Sequence, residues 1–246
     1  MSTITAKKNK KKDVWLVISL SILAIYGLFL IYPLVKLLFQ AVYVEGKFTF
    51  EHFVEFFSRS YYTKTITNSF VVSISATIIT LIIGIPLAYF YQMYEIKGKT
   101  VLQIIIILCS MSAPFIGAYS WILLLGRSGL ITQFIFNLTG FKMPSIYGFN
   151  GILLVLSLQL FPLVFLYVSG ALKNIDNSLL EASENMGCSG VARFFKVVIP
   201  LCMPTILAAT LLVFMRAFAD FGTPLLIGEG YRTFPVIIYN ASFSEV

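Results

Sequence analysis

Glu181-Ala182-Ser183-Glu184-Asn185-Met186-Gly187-Cys188-Ser189-Gly190, running on to Val197-Val198-Ile199-Pro200, is a polar bridge between two apolar runs. Before it, Gly151 to Leu172 carries no formal charge; after it, Pro204 to Met215 is apolar again. A loop of this polarity between two membrane-length segments belongs in water, held against one compartment by both flanks. Ser178 and Glu181 have the Ser-x-x-Glu spacing of a capping box, which predicts a short helix from Leu179 onward. Gly187 stands where a helix end takes a left-handed residue, and Gly190 supplies a second permissive joint. Ala192 to Val198 mixes aromatic and basic residues, suiting a helix at the bilayer interface. Pro200 and Pro204 then mark re-entry into the bilayer. The expected shape is helix, sharp turn, helix, projecting from the membrane. An ordinary loop tied down by two caps is the alternative.

Composition agrees with a membrane setting. Hydrophobic residues make up 58% and charged residues 12% of the chain, against about 25% charged in soluble domains. The expected class is an all-α, polytopic membrane protein. The net charge of +7 does not point to nucleic acid, because Lys7, Lys8, Lys10, Lys11 and Lys12 cluster directly ahead of an apolar run. That is where the positive-inside rule puts them, and contact with anionic lipid headgroups would be a by-product. Cys109, Cys188 and Cys202 have neither metal nor disulfide spacing. His52, the only histidine, has no second ligand nearby and reads as a surface residue. No cofactor or metal is expected.

Residues 1–13 form a basic tail, expected in the cytoplasm, and residues 14–246 the transmembrane domain. Five spans are expected at 14–35, 68–91, 101–125, 151–172 and 204–226, with the polar loop at 173–203. The first is too long for a signal peptide and lacks its cleavage site. Residues 36–67 would lie outside, with the aromatic stretch Phe48 to Phe57 as a surface helix. Gly84 and Pro86 suggest a kink in the second span. Gly98-Lys99-Thr100 has the ending of a phosphate loop but lacks its earlier glycine and preceding strand. In the third span Ser110, Ser112 and Pro114 form a small-residue patch, either a packing seam or a pore lining. In the fifth, Arg216 and Asp220 stand four residues apart, on one face of a continuous helix at membrane depth. Such a pair is either functional or an internal salt bridge.

The polar bridge resembles a signature of binding-protein-dependent ABC importer permeases: Glu-Ala-Ala, three residues, Gly, nine residues, Ile-x-Leu-Pro. Glu181, Ala182, Gly187 and Pro200 fall in register, while Ser183, Val197 and Ile199 are conservative departures. The resemblance implies a type I importer fold, with this segment as the coupling helix that docks on a separate ATP-binding subunit. Glu181, Ala182, Ser183, Gly187, Ile199 and Pro200 would serve that coupling. Ala219-Asp220-Phe221-Gly222-Thr223-Pro224 is similar to the end of the fifth span in the first half of ferric-iron importer permeases. Relatives for aminoethylphosphonate, thiamine, spermidine or sulfate share the scaffold. The implied location is the bacterial cytoplasmic membrane with the N-terminus inside. The implied partners are the ATP-binding subunit, a second permease half, an extracytoplasmic solute-binding protein and the bilayer.

The family half has six spans; five are read here, so the sixth is expected to be missing and the chain to be a truncated or split half. Ser110, Ser112, Pro114, Arg216 and Asp220 are candidates for the translocation path. A membrane-embedded enzyme would need a catalytic cluster at membrane depth, and only Arg216 and Asp220 are there. A non-transporting scaffold is the remaining alternative.

Overall fold

The computed structural model describes residues 3–44, 47–95, 97–111, 113–142, 144–188 and 190–244. Ser112 and Ser189, singled out above, lie outside them. The chain divides into two compact units, Met1–Thr63 and Lys64–Val246.

In the first unit a helical run passes from α1 (Thr3–Tyr26) through a π-helical turn at Gly27–Ile31 into α2 (Tyr32–Val42). Its apolar side chains, Trp15, Leu23 and Phe29 among them, are exposed, as on a surface that meets lipid or another chain. The antiparallel pair β1 (Tyr43–Val44) and β2 (Lys47–Phe48) reverses the chain. It leads to α3 (Glu51–Ser58), the helix expected from the aromatic stretch. The side chain of His52 lies outside the described residues.

The second unit holds the body of α4 (Ser60–Met93), then α5 (Lys99–Ser110), α6 (Pro114–Leu125), α7 (Leu130–Thr139) and α8 (Phe149–Lys173). It closes with α9 (Asn177–Asn185), α10 (Gly190–Arg193), α11 (Ile199–Ala219), α12 (Gly222–Ile227) and α13 (Phe234–Ser244). Packing centres on α8, whose Ile152, Val155, Leu156, Leu160, Val164, Val168 and Leu172 are buried at three- and four-residue steps. α4 meets it at Gly84, close to Val164, and at Tyr91, whose ring packs on Phe165, and most of the buried positions of α4 are small. Thr65, Ser69, Ser73 and Thr77 repeat every fourth position, all buried, with Ala76, Gly84 and Ala88 filling the same helix. Small side chains let two backbones approach, and their hydroxyls can be satisfied within the helix. Thr77 Oγ1 donates to Ser73 O at 2.6 Å.

Among the described residues five helical stretches are long and apolar enough to cross a membrane: Val14–Val42, Ser60–Met93, Pro114–Thr139, Phe149–Lys173 and Gly190–Ala219. They depart from the expected spans at several points. The run 101–125 is not one helix but two, α5 ending at Ser110 and α6 starting at Pro114. Pro114 forces the preceding Ala113 into extended backbone (φ −68°, ψ 141°). Residues 126–150, expected as a loop, contain α7, bounded by Gly129 and Gly140. The fifth run stops as a helix at Ala219 and resumes as α12 from Gly222.

The separate interfacial helix expected over 192–198 is instead part of one rod. From α10 the helix continues through a π-helical turn at Phe194–Val198 into α11. Ile199 N–H reaches back five residues to Phe194 O, one residue ahead of Pro200. The first unit repeats the arrangement, with Tyr32 N–H on Gly27 O ahead of Pro33. A proline cannot donate and crowds the carbonyl four residues back, and a π turn widens the helix there.

Candidate functional site

The polar bridge folds into a helical hairpin. The capping box expected at Ser178 and Glu181 does not form, and α9 starts two residues earlier. Asp176 caps it, its Oδ1 accepting from Ser178 N at 2.9 Å. An aspartate in extended backbone competes well for this role because its carboxylate takes a charge-assisted bond from the first turn. Those bonds from Ser178 hold the Asp176 carboxyl below its ordinary value.

The end of α9 follows the expectation closely. Gly187 adopts φ +78°. Its N–H donates to Glu184 O and the next, Cys188 N–H, to Ser183 O, both at 2.9 Å. These two bonds make a Schellman motif, which only a residue tolerant of the left-handed region can close. Gly190 is left-handed too, at φ +57°, and starts α10 on a new heading. Arg193 Nη1 then meets Glu184 Oε2 at 3.0 Å, tying the outgoing helix back to α9.

On this hairpin Glu181, Ala182 and Gly187 are exposed. Ser183 turns inward, with 8% exposure and its Oγ donating to Leu180 O at 2.7 Å. Ile199, half-buried, and Pro200, exposed, lie beyond the π turn in the rod. The signature thus divides between an exposed helix and the stalk that carries it. Tyr89 of α4 stacks edge-on against Phe194 at 4.8 Å, seating the stalk's foot on the bundle.

Of the candidate path residues, Ser110, Pro114 and Asp220 stand at two helix breaks that lie side by side. Phe115, at the start of α6, meets Phe221, in the gap before α12, with ring centroids 5.1 Å apart. A Cβ added at Gly222 would stand 3.4 Å from the Phe115 ring. Pro114 opens α6, and Ser110 closes α5 with its Oγ on Ile107 O at 2.6 Å.

The expected pairing of Arg216 with Asp220 on one helix face is not formed. The helix ends at Ala219, so Asp220 is its C-terminal cap in extended backbone (φ −71°, ψ 123°). Its Oδ1 accepts from Gly222 N at 3.0 Å, bridging the break. Oδ2 has no hydrogen-bond partner within geometric limits among the described residues. Arg216 is exposed on α11, and no ion pair joins the two among the described residues.

At the end of α8 away from the hairpin, long-range contacts stitch loops together that sequence reasoning kept apart. Gly148 N–H donates to Ile227 O at 2.8 Å. Asn68 Nδ2 donates to Arg232 O at 3.0 Å, and Phe234 N–H to Ser69 Oγ at 2.8 Å. Arg127 and Glu229 form an ion pair at 2.6 Å. Asn68 and Ser69 were not singled out from the sequence; Ser69 carried a signal in the four-residue hydroxyl rhythm of α4, and Asn68 carried none.

Against known proteins, residues 1–244 match the family described as the binding-protein-dependent transport system inner membrane component. The chain is 31% identical over 221 residues to the ferric transport system permease protein FbpB of Actinobacillus pleuropneumoniae, covering 89% of this chain and 32% of that protein. It is 28% identical over 243 residues to a putative ferric transport system permease of Haemophilus influenzae, covering 97% and 38%. It is 30% identical over 182 residues to a spermidine/putrescine transport system permease of Haemophilus influenzae, covering 73% and 63%. The chain therefore spans about a third of the length of the ferric relatives it matches. The fold is shared with a permease chain in the crystal structure of a bacterial alginate ABC transporter in complex with its alginate pentasaccharide-bound periplasmic protein. The TM-score is 0.78 at 20% identity, over 97% of this chain and 86% of that one. With a match along nearly its whole length and the helix order of that permease fold, the chain belongs to the family of inner membrane components of binding-protein-dependent transport systems.

Proposed function

We propose that the chain is the permease, or part of the permease, of an ATP-driven importer, and that its cargo is ferric iron. The observation that carries the mechanism is the α9 hairpin. Its Schellman turn and its Glu184–Arg193 pair fix an exposed helical face to a stalk that runs unbroken into a membrane-length helix. A push on such a face moves the whole rod, which is what coupling to a motor requires. In this reading α9 docks on a separate ATP-binding subunit through Glu181 and Ala182, with Gly187 setting the turn. Ser183, Ile199 and Pro200 hold the hairpin to its stalk.

The permease itself performs no covalent chemistry. With α9 in the cytoplasm, the basic tail 1–13 is cytoplasmic as well, and the loops around Gly148 and Ile227 face the opposite compartment. A solute-binding protein delivers cargo there, and a second permease half completes the pathway. The adjacent helix breaks at Pro114 and Asp220 interrupt two apolar runs side by side and set a carboxylate at one of them, as discontinuous helices do in other transporters. In this reading Ser110 and Arg216 flank that path.

The cargo assignment is supported by the ferric relatives, and the spermidine/putrescine relative supplies the competing cargo. Uptake of labelled ferric iron by vesicles holding the complete importer tests both parts. Gly187→Asp is expected to abolish uptake while leaving membrane insertion intact. Aspartate tolerates left-handed backbone better than most residues, so loss of uptake reports on the docking face rather than on the turn. Wild-type uptake by this variant overturns the coupling role; uptake of spermidine in place of iron overturns the cargo.

A further inference from the structure

A cavity of about 650 Å³ opens beside the turn that joins α6 to α7. Arg127 and Lys142 supply two positive charges to its lining, Gln133 and Ser145 neutral hydrogen-bonding groups, and Leu125 and Phe136 an apolar wall. Among the described residues no acidic side chain lines it. Arg127 is held in place from outside the cavity. Its guanidinium lies over the Tyr147 ring at 5.1 Å and donates to Glu229 Oε1 at 2.6 Å. A guanidinium has five N–H donors, more than one carboxylate oxygen engages. Glu229 makes this contact from φ +46°, the one left-handed residue other than glycine among the described residues. Lys142 is exposed and has no ion-pair partner among the described residues.

We propose that this cavity binds a small organic polycarboxylate anion, a di- or tricarboxylate, between Arg127 and Lys142, with its carbon skeleton against Leu125 and Phe136. The size decides between occupants that share this chemistry. Cavities for whole small molecules run from roughly 300 to 1,000 Å³, whereas one acidic side chain of a docking protein would leave most of this volume empty. Glu229 is then a built-in competitor, a carboxylate already placed on Arg127 that the ligand displaces. The site lies at the opposite end of α8 from the α9 hairpin and goes beyond the importer reading, since it needs neither motor nor cargo.

The test is calorimetric titration of citrate into the chain in neutral-lipid nanodiscs at low ionic strength, where exposed ion pairs are least screened. Citrate is expected to bind, and Lys142→Ala to weaken binding about fivefold, the upper range for a solvent-exposed pair. Glu229→Gln is expected to tighten it about threefold by removing the competitor. Lys142 is exposed, so its variant does not put folding at risk, and Glu229→Gln shifts affinity in a direction that misfolding cannot produce. Absence of citrate binding up to about 10 mM, or binding that neither substitution changes, overturns the site. Inorganic phosphate binding as tightly as citrate overturns the organic part of the assignment.

Discussion

Gly84 is a position where α4 comes close to α8, and a methyl group there has a calculable effect. A Cβ at residue 84 would stand 2.8 Å from both Val164 Cβ and Cγ1 and 3.3 Å from Phe161 O, where ordinary contact begins near 3.4 Å, a shortfall of about 0.6 Å. Val164 is 0% exposed and cannot swing aside, because a β-branched side chain in a helix has one strongly preferred rotamer. The helices must therefore part, and overpacking of this kind costs about 1–3 kcal/mol. Replacing glycine inside a helix returns about 1 kcal/mol, so Gly84→Ala should be destabilised by about 1 kcal/mol on balance and Gly84→Val by more.

At about 2–4 °C per kcal/mol for a chain of this size, the melting temperature of the alanine variant in nanodiscs should fall by a few degrees. Cys202 is buried on α11 against the same core, and its reaction with a thiol dye reports unfolding once Cys109 and Cys188 are replaced by serine. Val164→Ala removes the Cγ1 contact. The Gly84→Ala/Val164→Ala pair should therefore lose about 1 kcal/mol less than the sum of its singles. A Gly84→Val variant that melts at or above the parent temperature refutes the close approach of the two helices.

Other perturbations separate the remaining parts of the structure. Gly151→Ala would place Cβ against the backbone carbonyl of Ile146 and 2.9 Å from Ile227 Cγ2; neither backbone nor core can yield cheaply, so a loss of about 3 kcal/mol is expected in the same melting assay. The Asp176 cap should be acid-sensitive. Its folded-state value lies below the unfolded one of about 3.9, so its contribution is complete above that pH and is lost as pH falls through the folded value. A spin label on Glu181→Cys should accordingly gain mobility only in strong acid, and Asp176→Asn, which also caps helices, should remove that response. Cys188, half-buried in the hairpin, reports its side of the membrane. With Cys109 and Cys202 replaced by serine, an impermeant maleimide should label it in inside-out vesicles and not in right-side-out ones. Exclusive labelling from outside would sink the coupling reading. Exchanging the ion pair as Glu184→Arg/Arg193→Glu should keep uptake of the proposed cargo by the complete importer, while either single change lowers it.

What could be read from the chain was local. Gly187 announced its turn because one residue type fits a left-handed helix end, and no distant contact can change that requirement. The cap of α9 was misread because Ser178 and Asp176 both satisfy the local rule; choosing between them depends on backbone geometry set by the exit of α8. The breaks in the third and fifth runs were hidden by hydropathy, which follows side-chain polarity and is blind to backbone hydrogen bonding. The junctions between Ser110 and Pro114 and at Asp220–Phe221 interrupt a helix without making the sequence much less apolar. Pro114 carried a usable signal for the first break, and Asp220 followed closely by Gly222 carried one for the second. The Arg216–Asp220 pairing failed for the same reason: a four-residue spacing means proximity only while the helix lasts. The bonds from Asn68 to Arg232 and from Ser69 to Phe234 span more than 160 residues, and no periodicity encodes them. They join loops that hold the end of the bundle remote from α9, and there the hydroxyls of α4 serve as acceptors for another segment's backbone rather than as inert small residues. Polar side chains inside an apolar helix thus mark either a seam or a joint. Thr77, bonded within its own helix, belongs to the seam, and Ser69, bonded to Phe234, belongs to the joint.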